Sequence, residues 1–173
     1  MKKICIVGGA GFIGHNLALQ LRTIGHEVTC VDSLMVNNLI SVIGNYDNLR
    51  FKNLNKKIIN SRLDLLEKND IELKVLDARD YHVVSKLIDN LKPDIVVHLA
   101  AVSHSNRSNK DPFNTFDHSF RTLENVLDAS RDKIERLIYF SSSMVYGNFT
   151  KNEVEETDQC DPIGIYGTLK YCG

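Results

Sequence analysis

The sequence has almost no net charge, no C-x-x-C pair, no apolar run long enough to cross a bilayer and no internal repeat. Each absence excludes something. A formal charge of −1 over 173 residues creates no field that would draw nucleic acid or an anionic membrane surface. The four cysteines, Cys5, Cys30, Cys160 and Cys172, form no paired motif, and the first two fall in expected buried strands. A reduced, cytoplasmic protein is therefore expected. The N-terminal apolar run, residues 4–7, is stopped by Gly8, which is too short for a signal peptide or a membrane span. His98, His104 and His118 match no ligand spacing, so no metal is expected. With no low-complexity linker to divide it, the chain reads as one globular domain, residues 1–173, large enough for a substantial core.

What is present is organised around residues 4–14, Ile-Cys-Ile-Val-Gly-Gly-Ala-Gly-Phe-Ile-Gly. A buried strand passes without a spacer into Gly8, Gly11 and Gly14. A helical pattern follows through Ile13, Leu17 and Leu21, with Gly25 placed to stop it. Strand, glycine turn and helix in this order make a phosphate site. Glycine lets the backbone approach a pyrophosphate, and the free N–H groups of the first helical turn face its oxygens. The spacing is G-x-x-G-x-x-G rather than G-x-G-x-x-G. A second strand, residues 26–31, ends at Asp32, about where a carboxylate would hydrogen-bond a ribose diol. That carboxylate would repel a 2′-phosphate, and no Lys or Arg follows until Arg50, so NAD is favoured over NADP.

Strand and helix then alternate. Leu54, Ile58, Ile59, Leu63 and Leu66 are spaced for an amphipathic helix that carries no chemical signature. Strands are expected at 71–76, 95–99 and 136–140. Asp80 should cap a helix whose core face is Val83, Val84, Leu87, Ile88 and Leu91. Asp111-Pro112 should open a long helix in which Phe113, Phe116, Phe120, Leu123 and Leu127 form one stripe, mostly packed into the core. The alternation specifies an α/β fold, a doubly wound parallel sheet. In such a sheet the fourth strand lies beside the first, at the crevice where ligands bind, and here it ends in the small residues Ala100 and Ala101.

Tyr166 and Lys170 are four residues apart and share a helix face. A free tyrosine titrates near ~10 and is a poor base at neutral pH. A neighbouring ammonium lowers that value. With a serine hydroxyl to orient a substrate oxygen, the set suits moving a proton from an alcohol while a hydride leaves its carbon.

Taken together these motifs resemble the extended short-chain dehydrogenase/reductase family, within it the nucleotide-sugar epimerases and dehydratases. The matching residues are Gly8-Gly-Ala-Gly-Phe-Ile-Gly14, Asp32, Asp77-Ala-Arg-Asp80, His98-Leu-Ala-Ala101, Ser141-Ser-Ser-Met-Val-Tyr-Gly147 and Tyr166-Gly-Thr-Leu-Lys170. They fall in the family's order and cover nearly the whole chain. The resemblance implies a Rossmann fold and NAD as cofactor. Phe12 and Ile13 would offer backbone N–H groups to the pyrophosphate. Asp32 and Ser33 would meet the adenosine ribose, Asp77 and Ala78 the adenine, and Leu99, Ala100 and Ala101 would line the cofactor. Tyr166 would be the general base, Lys170 would bind the nicotinamide ribose, and the catalytic hydroxyl would be Ser142, with Ser143 second in line.

The family often has Thr where this chain has Val7, and Asn and Gly where it has Ser119 and Thr122. The segment between Asp32 and Asp77 is longer than usual. Dehydratases of the family carry acidic residues just after the catalytic hydroxyl, where this chain has Ser143-Met144. The resemblance therefore implies a 4-epimerase-like reaction on a nucleotide sugar. The alternatives are a reductase, dehydrogenase or dehydratase of the same family, or a non-catalytic NAD-binding interaction protein. It also implies a homodimer through the long helix and the Tyr166 helix. Residues 1–173 would be the N-terminal portion of a longer enzyme, ending before the substrate-binding region and inactive alone.

Overall fold

A computed structural model describes residues 1–43, 51–103, 105–149 and 151–173. Arg50 and His104 lie outside the described residues. Five parallel strands form one sheet in the order β3-β2-β1-β4-β5. They are β1 (Lys3–Val7), β2 (Glu27–Asp32), β3 (Glu72–Val75), β4 (Ile95–His98) and β5 (Arg136–Tyr139). The helices are α1 (Phe12–Thr23), α2 (Leu39–Ile43), α3 (Lys52–Lys68), α4 (Tyr81–Leu91), α5 (Ser105–Lys110), α6 (Pro112–Phe116), α7 (Thr122–Ser130) and α8 (Gly164–Tyr171).

The period-two alternation of β1 divides the core between the sheet's two faces. Cys5 and Val7 point into a cluster with Val84 and Ile88 of α4 and Val126 and Ala129 of α7. Ile4 and Ile6 point the other way, into a cluster with Ala18 of α1 and Leu66 of α3. A sheet covered on both faces needs apolar residues at nearly every position of its central strands, which is why β1 reads as a continuous apolar run. The winding reverses between β1 and β4, which pair in register from Ile4 with Ile95 to Val7 with His98. This is the doubly wound arrangement that the alternation specifies.

The last three strands stop one residue short of their expected ends. After β4 the chain leaves the ladder at the crevice, where Leu99 N and Ala100 N both donate to Val7 O, at 2.8 and 3.1 Å. The α4 cap forms as expected, with the Asp80 carboxylate accepting from His82 N and Val83 N at 3.0 and 3.2 Å. Val84, Leu87 and Ile88 are buried there, while Val83 stays exposed.

The long helix departs from expectation. A π-helical turn, Asp117–Arg121, separates α6 from α7. The face turned inward is Thr115, Thr122, Leu123, Val126 and Ala129. Phe113, Phe116, Phe120 and Leu127 are 79, 50, 37 and 47% exposed, so of the expected stripe only Leu123 packs into the core. Small residues let the helix approach the sheet closely, and the widened turn shifts the register between α6 and α7. On α3, Ile59 and Leu66 are buried, but Leu54 and Ile58 face outward.

Candidate cofactor and catalytic site

The glycine turn is held by two bonds to one carbonyl: Gly8 N and Gly9 N donate to Val31 O at 2.7 and 3.1 Å. Gly8 has φ +87°, and a Cβ there would stand 2.8 Å from Ala100 N. A Cβ on Gly14 would stand 2.4 Å from Gly8 O. Both positions exclude any side chain, so the backbone of β1, α1 and the β4 tip is drawn together as a dinucleotide site requires. Gly11 caps α1 without a side-chain acceptor, which leaves the first-turn N–H groups for a ligand.

Two adjoining cavities open from this turn and share Gly8, Gly11, Val36, Leu99 and Ala101. Asp32, Ser33, Asp77, Ala78, Ala100 and Thr122 face the first, which encloses about 590 Å³ including space open to solvent. Phe12, Ile13, Gly14, Ser141, Tyr166 and Lys170 face the second, of about 1150 Å³ on the same measure. The charges divide between them. Among the described residues, the first has Asp32 and Asp77 in its lining and no Lys or Arg, and the second has Arg62 and Lys170 and no carboxylate. An acidic end suits a ribose diol, and a cationic end suits a pyrophosphate.

Tyr166 and Lys170 lie on α8, which three bonds tie to the end of β5. Lys170 Nζ donates to Phe140 O at 2.6 Å, Ser141 Oγ to Lys170 O at 3.2 Å, and Tyr139 OH to Leu169 O at 3.4 Å. A Cβ on Gly167 would meet Met144 O at 2.6 Å, so the helix packs directly on the turn Ser143–Tyr146. Lys170 is buried, 6% exposed, and burial pushes its ammonium down to about 8. Nζ also sits 4.6 Å from the centre of the Tyr139 ring. Behind that ring, His98 is fully buried and stacked at 6.1 Å. Burial, aided by the Lys170 charge, pushes His98 down to about 3, so it stays neutral.

Phosphate turn, terminal Asp, tyrosine and lysine thus meet at one crevice, and the profile of the NAD dependent epimerase/dehydratase family matches residues 4–173. The chain belongs to this family. It is 33% identical over 170 residues to the CapI protein of Staphylococcus aureus, covering 97% of this chain and 46% of that one. It is 28% identical over 168 residues to a UDP-glucose 4-epimerase of Lacticaseibacillus casei, covering 96% of this chain and 43% of that one. Among solved structures it resembles the UDP-glucose-4-epimerase of Stenotrophomonas maltophila, crystallised with NAD and formylated UDP-arabinopyranose. The TM-score is 0.78 at 26% identity, covering 99% of this chain and 46% of that one. The chain therefore spans under half the length of these epimerase/dehydratase family relatives.

Within this member of the epimerase/dehydratase family, Asp32 is held by the backbone around the glycine turn. Its oxygens accept from Leu34 N at 2.8 Å and Ala10 N at 3.1 Å, which anchors the glycine turn. Each carboxylate oxygen has a second acceptor site, so a diol can still be held. Burial raises its pKa, and the two N–H bonds oppose that rise. Asp77 is held by Arg79, whose Nη2 lies 2.6 Å from Oδ2, and this bond keeps the carboxyl below its usual range. Arg79 also pairs with Asp117 at 2.8 Å, linking the Asp77 side of the cleft to the π-helical turn. Ser119 Oγ accepts from Val102 N at 3.0 Å, so it ties the β4 tip to the same helix.

Of the three adjacent serines, Ser141 faces the cavity that Tyr166 and Lys170 line. The Ser142 hydroxyl accepts from Met144 N at 3.2 Å and caps the turn, and Ser143 is exposed. Ser142 and Ser143 are not among the residues lining the cavity with Tyr166. Sequence reasoning missed Ser141, Arg79 with Asp117, and Arg62. Arg62 had a readable signal: it is a charged residue three after Ile59 and four before Leu66, on the face those two bury.

Proposed function

We propose that the chain is the NAD-binding part of a nucleotide-sugar epimerase that acts at C4 through transient oxidation. The observation that carries this is Tyr166 and Lys170 facing one cavity with the glycine turn, with no carboxylate among the described residues that line it. NAD, when bound, supplies a reversible hydride acceptor. Phe12 and Ile13 offer N–H groups to its phosphates, and Asp32 accepts from its ribose diol. Tyr166 takes the proton from the sugar's C4 hydroxyl and later gives it back. Lys170 lies one helical turn further along α8 and lines the same cavity, where it would hold the nicotinamide ribose. Ser142, or Ser141 which faces the cavity, orients the sugar oxygen. A dehydratase needs a further acid and base, and Ser143-Met144 offer neither. The exposed stripe on α6 and α7 supports a homodimer through that face.

The test is to incubate the gene product with a panel of nucleotide sugars and bound NAD, following both sugar interconversion and absorbance of free NADH. Interconversion without net NADH is expected. Stoichiometric NADH release would assign a reductase or dehydrogenase instead. NAD binding with no turnover of any sugar by a chain of the relatives' length would assign a binding protein.

A further inference from the structure

We propose that Arg62, on the helix inserted between β2 and β3, is a clamp for the cofactor's pyrophosphate. The inference deepens the NAD reading above and rests on it. Helix α3 is fixed by Ile59 and Leu66, 4 and 1% exposed, with Leu66 packed beside Ala18 of α1. Arg62 lies between them on the same face. The two helices run parallel: Arg22, in the last turn of α1, donates from Nε to Asn69 O at the end of α3 at 3.3 Å. Side chains of a helix tilt toward its N-terminus. Arg62 is therefore aimed along α1 toward its first turn, and its guanidinium carbon stands 5.7 Å from the centre of the Phe12 ring.

That position is the mouth of the phosphate turn. Phe12 is the first residue of α1, and its ring is 70% exposed. Arg62 lines the same cavity as Gly8, Gly11, Ile13 and Gly14. It makes a cation–π contact with Phe12, and among the described residues no carboxylate pairs with it. Such a contact holds the guanidinium by the ring and leaves N–H donors for an anion. The other cation in this lining, Lys170, is committed to Phe140 O. Arg62 is thus a positive charge beside the helix N-terminus with no carboxylate partner among the described residues, and a diphosphate carries two negative charges to meet it. Helix N–H groups hold one side of the phosphates, and the fork of Arg62 closes over the other.

The experiment measures affinity by calorimetry or fluorescence, with NAD, ADP-ribose and adenosine as probes. NAD and ADP-ribose contain the pyrophosphate, and adenosine does not. Arg62→Met keeps the apolar stem against α1 and removes the charge. It should weaken NAD and ADP-ribose alike by about five- to twenty-fold and leave adenosine unchanged. Arg62→Lys should recover part of the loss. The gap between parent and Arg62→Met should shrink at about 1 M salt, where the screening length is about 3 Å. Equal affinity of parent and Arg62→Met for NAD overturns the clamp while leaving the NAD reading intact. Loss of adenosine affinity to the same degree also overturns it, by showing a general structural role. A parent protein that binds none of the three probes overturns both readings.

Discussion

At the scale of single residues, Lys170 joins function to stability through its burial. An unfolded lysine titrates near 10.5, and in the fold burial lowers Lys170 to about 8. Between those values the unfolded chain holds a proton that the folded chain has released, so stability rises with pH across that window. Below about 8 the cost of the buried ammonium is felt in full. Lys170→Met should therefore be more stable than the parent at pH 7, by on the order of 2 kcal/mol once about 1 kcal/mol is subtracted for the lost bond to Phe140 O. The margin should disappear as pH rises from 8 toward 10.5. Urea denaturation at several pH values checks this, and a destabilised variant at pH 7 would contradict it. Asp32 gives a second residue-scale expectation. Asp32→Ala removes the ribose acceptor and the repulsion of a 2′-phosphate together. NAD affinity should fall by about ten-fold or more and NADP affinity should fall less, as read by competitive titration. Tighter binding of NADP than NAD by the parent would sink the assignment.

At the scale of elements, two helix starts make a contrast. Gly14→Ala places a methyl 2.4 Å from Gly8 O, so the first turn of α1 must move away from the phosphate turn. Stability should fall by about 1–3 kcal/mol and NAD affinity by more than ten-fold. Asp80→Ala removes the cap of α4, with an expected loss of about 1 kcal/mol and no change in NAD affinity. Thermal melting and NAD titration on both variants separate the two effects. The same elements show what was legible in the sequence. The strand order and the crevice followed from alternation and from the glycine turn, because these are local patterns with one steric solution. Asp32, Tyr166 and Lys170 were legible because spacing alone puts them at a strand tip and on one helix face. Ser141 and Arg79 with Asp117 were not, since each depends on which remote element packs beside it, whereas Arg62 was legible only as a charge on a helix's apolar face. The Phe113–Leu127 stripe misled for a related reason. Apolar spacing shows that a face will be covered, and it does not say by what. Four of the five positions face outward, and a π-helical turn breaks the register between the first two and the last two.

At the scale of the whole molecule, that stripe is the feature with the largest consequence. Phe113, Phe116 and Phe120 line one shallow cavity with Pro112, Asp117, Arg121 and Glu124 on the outer face of α6 and the π-helical turn. Three aromatic side chains aligned and open to water leave an apolar patch that association would cover. The same helical stretch carries Asp117, which holds Arg79, and Ser119, which holds the β4 tip. Covering its outer face would thus steady the wall of the cofactor cleft from behind. If a second copy covers it, as proposed, the parent protein should sediment as a dimer at micromolar concentration and its melting temperature should rise with concentration. Phe113→Glu combined with Phe120→Glu places charge in the patch at positions 79 and 37% exposed, where a monomer tolerates it with a change of about 0.5 kcal/mol or less per site. The double variant should sediment as a monomer, lose the concentration dependence, and bind NAD more weakly than the parent dimer by a few-fold. A parent that remains monomeric at every concentration, or a double variant that still dimerises, would place the interface elsewhere.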